Sequence, residues 1–512
     1  MRIQMEKSFK QYYTRRDFLR TMVGTAAAAS NPWILKAMGN LDNPEKPNVI
    51  YIFSDEHRWH SMSFTQMPSV HAPNISALAQ QGISFNHCVS NYPVCSPHRA
   101  ILMTGRWPYQ QKMTDCGPGM IDNGLPLSSD QNTIGKVFKA AGYSTGYIGK
   151  WHLGGTRAEP FGFDMSLIWT ETDTHWNSKY WPAGGSSVTC TQYNATAMTD
   201  QALQFIEDNK NNPFFLMLSP NPPHAVFTDA PEEKKNLYPS ESYLPRRPNC
   251  LSSFPTKWWT DYQGYHAHIT AIDEEIGRVM NKLDSAGLAD NTILIYSSDH
   301  GSMMGSQGLG NKRLPYEESI KTPFIARWPN KIPAAATTNV LFGTIDIMPS
   351  VCALAGLDVP DTCSGLDFSK IMLGQPGGLE PESQFIMHIY NANGDRWAPF
   401  FRGVRTNRYT YAFRVKGEYQ EEGPWLLFDN QNDPYQMNNL IDDPSMAAVR
   451  KELEGMLSDW LKKANDPFHS DLNGDGKVDF KDFCTLADHW VSDTADLKTV
   501  TQRWLRTTGG CL

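Results

Sequence analysis

The residues able to do chemistry in this chain sit just past short apolar runs. Asn48-Val-Ile-Tyr-Ile-Phe53 leads to Asp55 and Glu56, Tyr143-Ser-Thr-Gly-Tyr-Ile148 to Lys150 and His152, Pro213-Phe-Phe-Leu-Met-Leu218 to His224, and Thr292-Ile-Leu-Ile-Tyr296 to Asp299 and His300. Asp55, Glu56 and Asp299 offer the hard oxygen ligands that calcium or magnesium takes. Lys150 and His152 are two apart, so on an extended segment both side chains leave the same side. A lysine and a histidine beside a bound anion supply both charge and a proton. Taken singly, each acid reads as a solvated loop charge; four run ends bearing such groups together point to one site.

The elements that must position these groups follow from the same pattern. The apolar runs read as buried parallel strands. Between them lie helical patterns, Asn74 to Gln81, Thr133 to Ala141 and Ile269 to Ala286, closed by Gly82, Gly142 and Gly287. Alternating strand and helix predicts an open α/β sheet, whose ligands bind outside the carboxyl ends of its strands. A chain of 512 residues has room for one large core and one or two smaller units. A net charge of -8 and a pI near 6.0 leave no basic face for nucleic acid. Nine cysteines are too sparse for a disulfide scaffold and show no zinc-type spacing, although in an exported protein some could pair, Cys352 with Cys363 for example.

The run Cys95-Ser96-Pro97-His98-Arg99, continuing into Ala100-Ile-Leu-Met-Thr-Gly-Arg106, resembles the CxPxR element of the type I sulfatases, members of the alkaline phosphatase superfamily. The resemblance implies that Cys95 is converted to formylglycine (3-oxoalanine) by a formylglycine-generating enzyme. The aldehyde hydrate is then the nucleophile for sulfate ester hydrolysis. It implies a calcium site built from Asp55, Glu56, Asp299, His300 and residue 95. Glu56 departs from the family's second aspartate. Arg99, one turn beyond Cys95, would steady the hydrate and the metal carboxylates, with Ser96 capping the helix and Pro97 in its first turn. Gly149-Lys150-Trp151-His152-Leu153-Gly154 matches the family's GKWHLG element. It makes Lys150 a contact for hydrate and sulfate, and His152 the base that restores the aldehyde. His224 in Asn221-Pro-Pro-His224 and Lys312 in Gly310-Asn-Lys312 match the residues that hold the sulfate and protonate the leaving oxygen. His388 is read as structural.

The likeness covers about residues 46 to 465. It implies a mostly parallel sheet flanked by helices over 46–375 and, after the turn-rich Gly374-Gln-Pro-Gly-Gly378, a smaller antiparallel sheet with a helix over 380–465. Thr14-Arg15-Arg16-Asp17-Phe18-Leu19-Arg20 and the alanine-rich stretch behind it, within residues 1–40, resemble a twin-arginine export signal, which places the enzyme in the periplasm or outside the cell and leaves no membrane span in the mature chain. In 468–512, Asp471, Asn473, Asp475, Lys477, Asp479 and Asp482 fall at the ligand positions of a dockerin-type calcium loop, implying a second calcium and a cohesin-like partner. Export, this tail and Trp151, Trp169, Trp176, Trp181, Trp258 and Trp259 point to a sulfated carbohydrate substrate, with Arg246 and Arg247 either reading a second anionic group or solvated. The alternatives are a phosphonate monoester or phosphodiester hydrolase of the same superfamily, and a non-catalytic scaffold.

Overall fold

The four apolar runs pair side by side. In a computed structural model, which describes residues 46–113, 126–169, 174–250, 258–389, 399–415, 422–466 and 468, they are neighbours at the centre of one sheet. The strands are β1 (Asn48–Ser54), β2 (Ile83–Phe85), β3 (Cys88–Val89), β4 (Ser144–Lys150), β5 (Met165–Trp169), β6 (Ser178–Pro182), β7 (Val188–Cys190), β8 (Phe214–Ser219), β9 (Thr292–Ser298), β10 (Phe324–Arg327), β11 (Ala336–Thr338), β12 (Phe342–Gly343), β13 (Ser383–His388), β14 (Phe401–Thr406), β15 (Tyr409–Arg414) and β16 (Gly423–Asp429). Ten of them form the sheet β11-β2-β10-β9-β1-β8-β4-β5-β6-β7. The central strands β9, β1, β8, β4 and β5 all run parallel, so their carboxyl ends open on one edge. Antiparallel pairs appear only towards the flanks, at β9–β10, β10–β2, β5–β6 and β6–β7.

Period-two alternation gives this sheet two buried faces. Val49, Tyr51 and Phe53 face a cluster with Phe85, Met217 and Ile293, while Ile50 and Ile52 face the opposite one with Leu216, Leu218 and Leu294. The predicted helices appear as Pro73–Gln80, Ile134–Ala140 and Trp258–Ser285. The last begins 11 residues before the expected Ile269. Its added turns carry Tyr262, Tyr265 and His266, whose polar tips point at the loop after β1 and so hide the apolar stripe from a reading of sequence: Tyr265 Oη accepts from Arg58 N and donates to Glu56 O.

The second sheet, β13-β14-β15-β16, is antiparallel throughout. It packs on the helix Ala447–Lys463 through Leu453, Leu457 and Leu461, one per turn, and meets Tyr92, Ile101 and Trp107 around the Cys95 helix. Asn91 fastens the junction: its Nδ2 donates to Phe385 O at 2.6 Å and its Oδ1 accepts from Ile345 N at 3.0 Å.

Three expectations are corrected here. Cys352 and Cys363 are thiols, not a disulfide. Trp151, Trp169 and Trp258 are buried in the core, and only Trp176 among the six tryptophans is an exposed large apolar residue. Arg247 is buried and ion-paired to Glu318 at 2.9 Å, so it is not a solvated side chain. Residues 1–40 and the loop Asp471 to Asp482 lie outside the described residues. Among the described residues, no helix is long and apolar enough to cross a membrane.

Candidate active site

The strand exits converge. Asp55 follows β1, Asp299 and His300 follow β9, Lys150 ends β4, and the helix Cys95–Thr104 starts with Cys95. Every residue of that helix is buried. Val94, not Ser96, is its N-cap, and Ser96 Oγ has no hydrogen-bond partner among the described residues, because the extended backbone before Cys95 makes the cysteine the first helical residue. Pro97 stays in the first turn, where its missing N–H costs little.

Asp55, Cys95, Asp299 and His300 each present one atom within 4.8 Å of all the others. Cys95 Sγ lies 3.7 Å from Asp55 Oδ1 and 3.3 Å from His300 Nε2. Arg99 locks the two acids together: Nη2 donates to Asp55 Oδ2 at 3.3 Å and to Asp299 Oδ2 at 3.0 Å, while Nη1 donates to Ser219 Oγ at 2.7 Å and Lys150 O at 2.8 Å. The backbone contributes as well. Glu56 N and His300 N both donate to Asp299 Oδ1, at 3.0 and 2.8 Å. Ser219 was not anticipated from sequence; its signal was the position, the last residue of a strand whose neighbours all end in polar groups.

Lys150 Nζ sits 2.5 Å from Asp55 Oδ2. The strand ends at Lys150 and His152 turns into left-handed backbone at φ 54, so the two do not share an extended segment, yet both reach residue 95, His152 by a hydrogen bond to its side chain. Gly149 is required at that exit: at φ 116 a Cβ would fall 2.1 Å from Ser219 O. Lys312 Nζ donates to Glu56 Oε2 at 3.0 Å, and His224 Nε2 lies 3.7 Å from the same oxygen. The Glu56 carboxylate therefore joins the lysine and histidine, and it stays beside the acids: Asp55, Glu56 and His224 each present one atom within 4.8 Å of the other two. The loop carrying His224 is backed by Asn221, whose Nδ2 is 3.2 Å from His175 Nε2, and His175 is held in turn by Asp229 at 2.7 Å. His388 lies away from the site, buried in β13 with Nδ1 3.0 Å from Pro399 O.

Electrostatics separate the groups. Burial and the nearby Asp55 raise the Asp299 carboxyl to about 6 against His300 and Arg99. For Asp55, burial is outweighed by the attraction of Lys150, His224 and Lys312, which keeps it ionised well below the usual carboxylate range. Burial pushes His224 down to about 4, helped by Lys312 and Lys150, and burial also lowers His152. Both imidazoles are therefore neutral near pH 7. Burial opposes the charge on Lys312, but Cys95, Glu56 and Asp55 together raise it. Two buried carboxylates forced side by side, with an imidazole and the residue 95 side chain within reach, are a donor set that suits a hard divalent cation.

The family model described as Sulfatase matches residues 47–357, and the one described as N-sulphoglucosamine sulphohydrolase, C-terminal, matches 305–463. An ulvan-active sulfatase of Formosa agariphila is 33% identical over 459 residues, covering 85% of each chain. An endo-4-O-sulfatase of Bacteroides thetaiotaomicron is 29% identical, over 84% of this chain and 94% of that one. A solved structure of a Bacteroides thetaiotaomicron chain, described under the metabolism of multiple glycosaminoglycans, superposes with a TM-score of 0.76 at 29% identity, covering 84% of this chain and 98% of that one. The chain belongs to the sulfatase family. It is a sulfuric ester hydrolase on the alkaline phosphatase-like fold.

Proposed function

We propose that the protein removes sulfate from a sulfated carbohydrate, with residue 95 as formylglycine and calcium held by Asp55, Asp299 and His300. The observation that carries this reading is the start of the Cys95 helix, which puts residue 95 within 3.7 Å of Asp55 Oδ1 and 3.3 Å of His300 Nε2. The carbohydrate class is supported by the relatives that act on ulvan and by the endo-4-O-sulfatase.

When bound, the cation draws charge from the sulfuryl oxygens while the formylglycine hydrate supplies the nucleophilic oxygen. The chain's own residues do the rest. Arg99 holds the Asp55 and Asp299 carboxylates together and favours their charged form. Lys150 and Lys312 supply the positive charge that holds the ester's anionic oxygens. Neutral His152, hydrogen-bonded to residue 95, accepts a proton from that position. Lys312 hands a proton to the leaving alcohol oxygen while neutral His224 offers it a hydrogen bond, and Glu56 aligns both side chains. Glu56 is on this reading a positioning residue of the proton-donating side, not a metal ligand. Export by the twin-arginine route and docking through the Asp471 to Asp482 calcium loop complete the proposal.

Mass spectrometry of the peptide bearing residue 95, from a host able to modify it, is expected to show the aldehyde; an unmodified cysteine there would support the scaffold alternative. Rates on aryl sulfate are expected to exceed those on aryl phosphonate and phosphodiester, the reverse order establishing the other hydrolase. Defined sulfated oligosaccharides, with desulfation followed by NMR, would identify the sugar and the position attacked.

A further inference from the structure

A cavity of about 470 Å3 lies where the loop after β1 meets the segment Glu317–Lys321 and the ends of β14 and β16. Its size is that of a small-molecule site. No residue assigned above to catalysis or to the metal lines it.

Its walls carry uncompensated positive charge. Lys321 is 9% exposed; its ammonium lies 3.6 Å over the Trp59 ring and has no carboxylate or hydrogen-bond partner among the described residues. Glu317 is already claimed by Arg405, at 2.7 and 3.1 Å, and Glu318 behind it by Arg247 at 2.9 Å. His60 is 2% exposed and His87 half-buried, and Nδ1 of each is enclosed without a partner. Burial, then Arg247, Lys321 and Arg58, hold His60 neutral, so it offers an N–H without adding charge. Burial lowers Lys321 to about 8, with Glu317 opposing and Arg405 and Arg247 assisting. A buried ammonium without a counter-charge is costly unless a ligand supplies one. Asn339 and Gln431 add amide groups to the lining.

We propose that this cavity binds an oxyanion, a sulfate or a carboxylate, with the Lys321 ammonium as its counter-charge and His60 and His87 as hydrogen-bond donors. The oxyanion is either free inorganic sulfate or a charged group on a glycan whose other parts extend outwards. The site is separate from the catalytic groups and does not depend on their assignment.

Crystals of the full chain soaked in selenate are expected to show an anomalous selenium peak beside Lys321 Nζ. Lys321→Gln removes the counter-charge. Asn339→Asp, at an exposed wall position where the side chain accepts from Asn86 Nδ2 at 2.8 Å, adds a repelling charge while keeping that acceptor. Both substitutions are expected to abolish the peak. If the occupant is glycan-borne, both also raise KM for a sulfated oligosaccharide roughly tenfold, the effect of losing one charge-assisted contact, with KM for a small aryl sulfate unchanged. If the occupant is free sulfate, both KM values stay constant and only anion binding is lost. Absence of the peak in the wild type, or its persistence in both variants, overturns the proposal whatever the enzyme's activity.

Discussion

The two halves of the candidate active site are built in different ways. The acidic half, Asp55, Asp299 and His300 with Arg99, lies where central strands end and is fully enclosed, each carboxylate fixed by an arginine and one of them by two backbone N–H groups. The basic half sits on the loops beyond: Lys312 is flanked by left-handed Asn311 and Arg313, His152 is itself left-handed, and His224 keeps 21% of its side chain exposed. The first arrangement keeps its shape without a ligand. The second is open on one side, as a part that must admit and release a substrate has to be.

Breaking the basic half at the residue both halves share gives the largest effect. Cys95→Ala is expected to reduce kcat on every sulfate ester by on the order of 10⁴-fold or more, as when other enzymes lose their nucleophile. Turnover on aryl sulfate measures it, and an unchanged rate removes residue 95 from the chemistry. Next comes the contrast between Arg99→Ala and Lys312→Ala. Arg99→Ala leaves two buried acids without their cation and is expected to destabilise the fold by about 3–5 kcal/mol, read in denaturant unfolding. Lys312→Ala strands one buried carboxylate, Glu56, where Arg99→Ala strands two, so it is expected to destabilise less and to leave metal content nearly unchanged while lowering kcat by about 10²-fold, the scale of one lost proton donor. Equal destabilisation by both would erase the distinction between the halves. Glu56→Gln sharpens it: metal stoichiometry by elemental analysis is expected to stay at the wild-type value while the pH–rate profile shifts, and loss of bound metal would move Glu56 to the acidic half.

The smallest effect concerns pH. Burial lowers His57 and His268 to about 4 and His87 to about 3, from an ordinary value of 6.5. The unfolded chain therefore takes up protons that the fold refuses. Stability from these groups is full above about pH 6.5 and falls as pH drops towards 4, at up to ~1.4 kcal/mol per pH unit for each histidine. Thermal melts between pH 7 and 4.5 read this directly, and a flat profile would show that the imidazoles are not held neutral.

Sequence alone carried the acidic half almost completely. Asp55, Asp299 and His300 follow continuous apolar runs, and a run buried on both faces makes a central parallel strand whose exit is the site edge. The central order β9-β1-β8-β4 placed those exits side by side. Glu56 was legible as an oxygen ligand but its pairing was not, because a left-handed residue, at φ 73, turns its carboxylate towards Lys312, a residue 256 positions away in the chain. The tryptophans misled for a related reason: aromatic character marks stacking surface and core alike, and only packing tells that Trp151 lies against Tyr147 and Phe161 in the interior.

What the sequence determined by itself is the chemistry on offer, since side-chain type and the period of apolar residues are local properties that fix which groups stand at strand ends. Which of those groups face one another was decided by tertiary structure. Arg99 joins two carboxylates from strands far apart in the chain, and among the described residues Lys321 is left without a carboxylate partner because Arg405 and Arg247 take the nearby acids. Pairing and desolvation depend on distances between distant segments, and no local pattern encodes them.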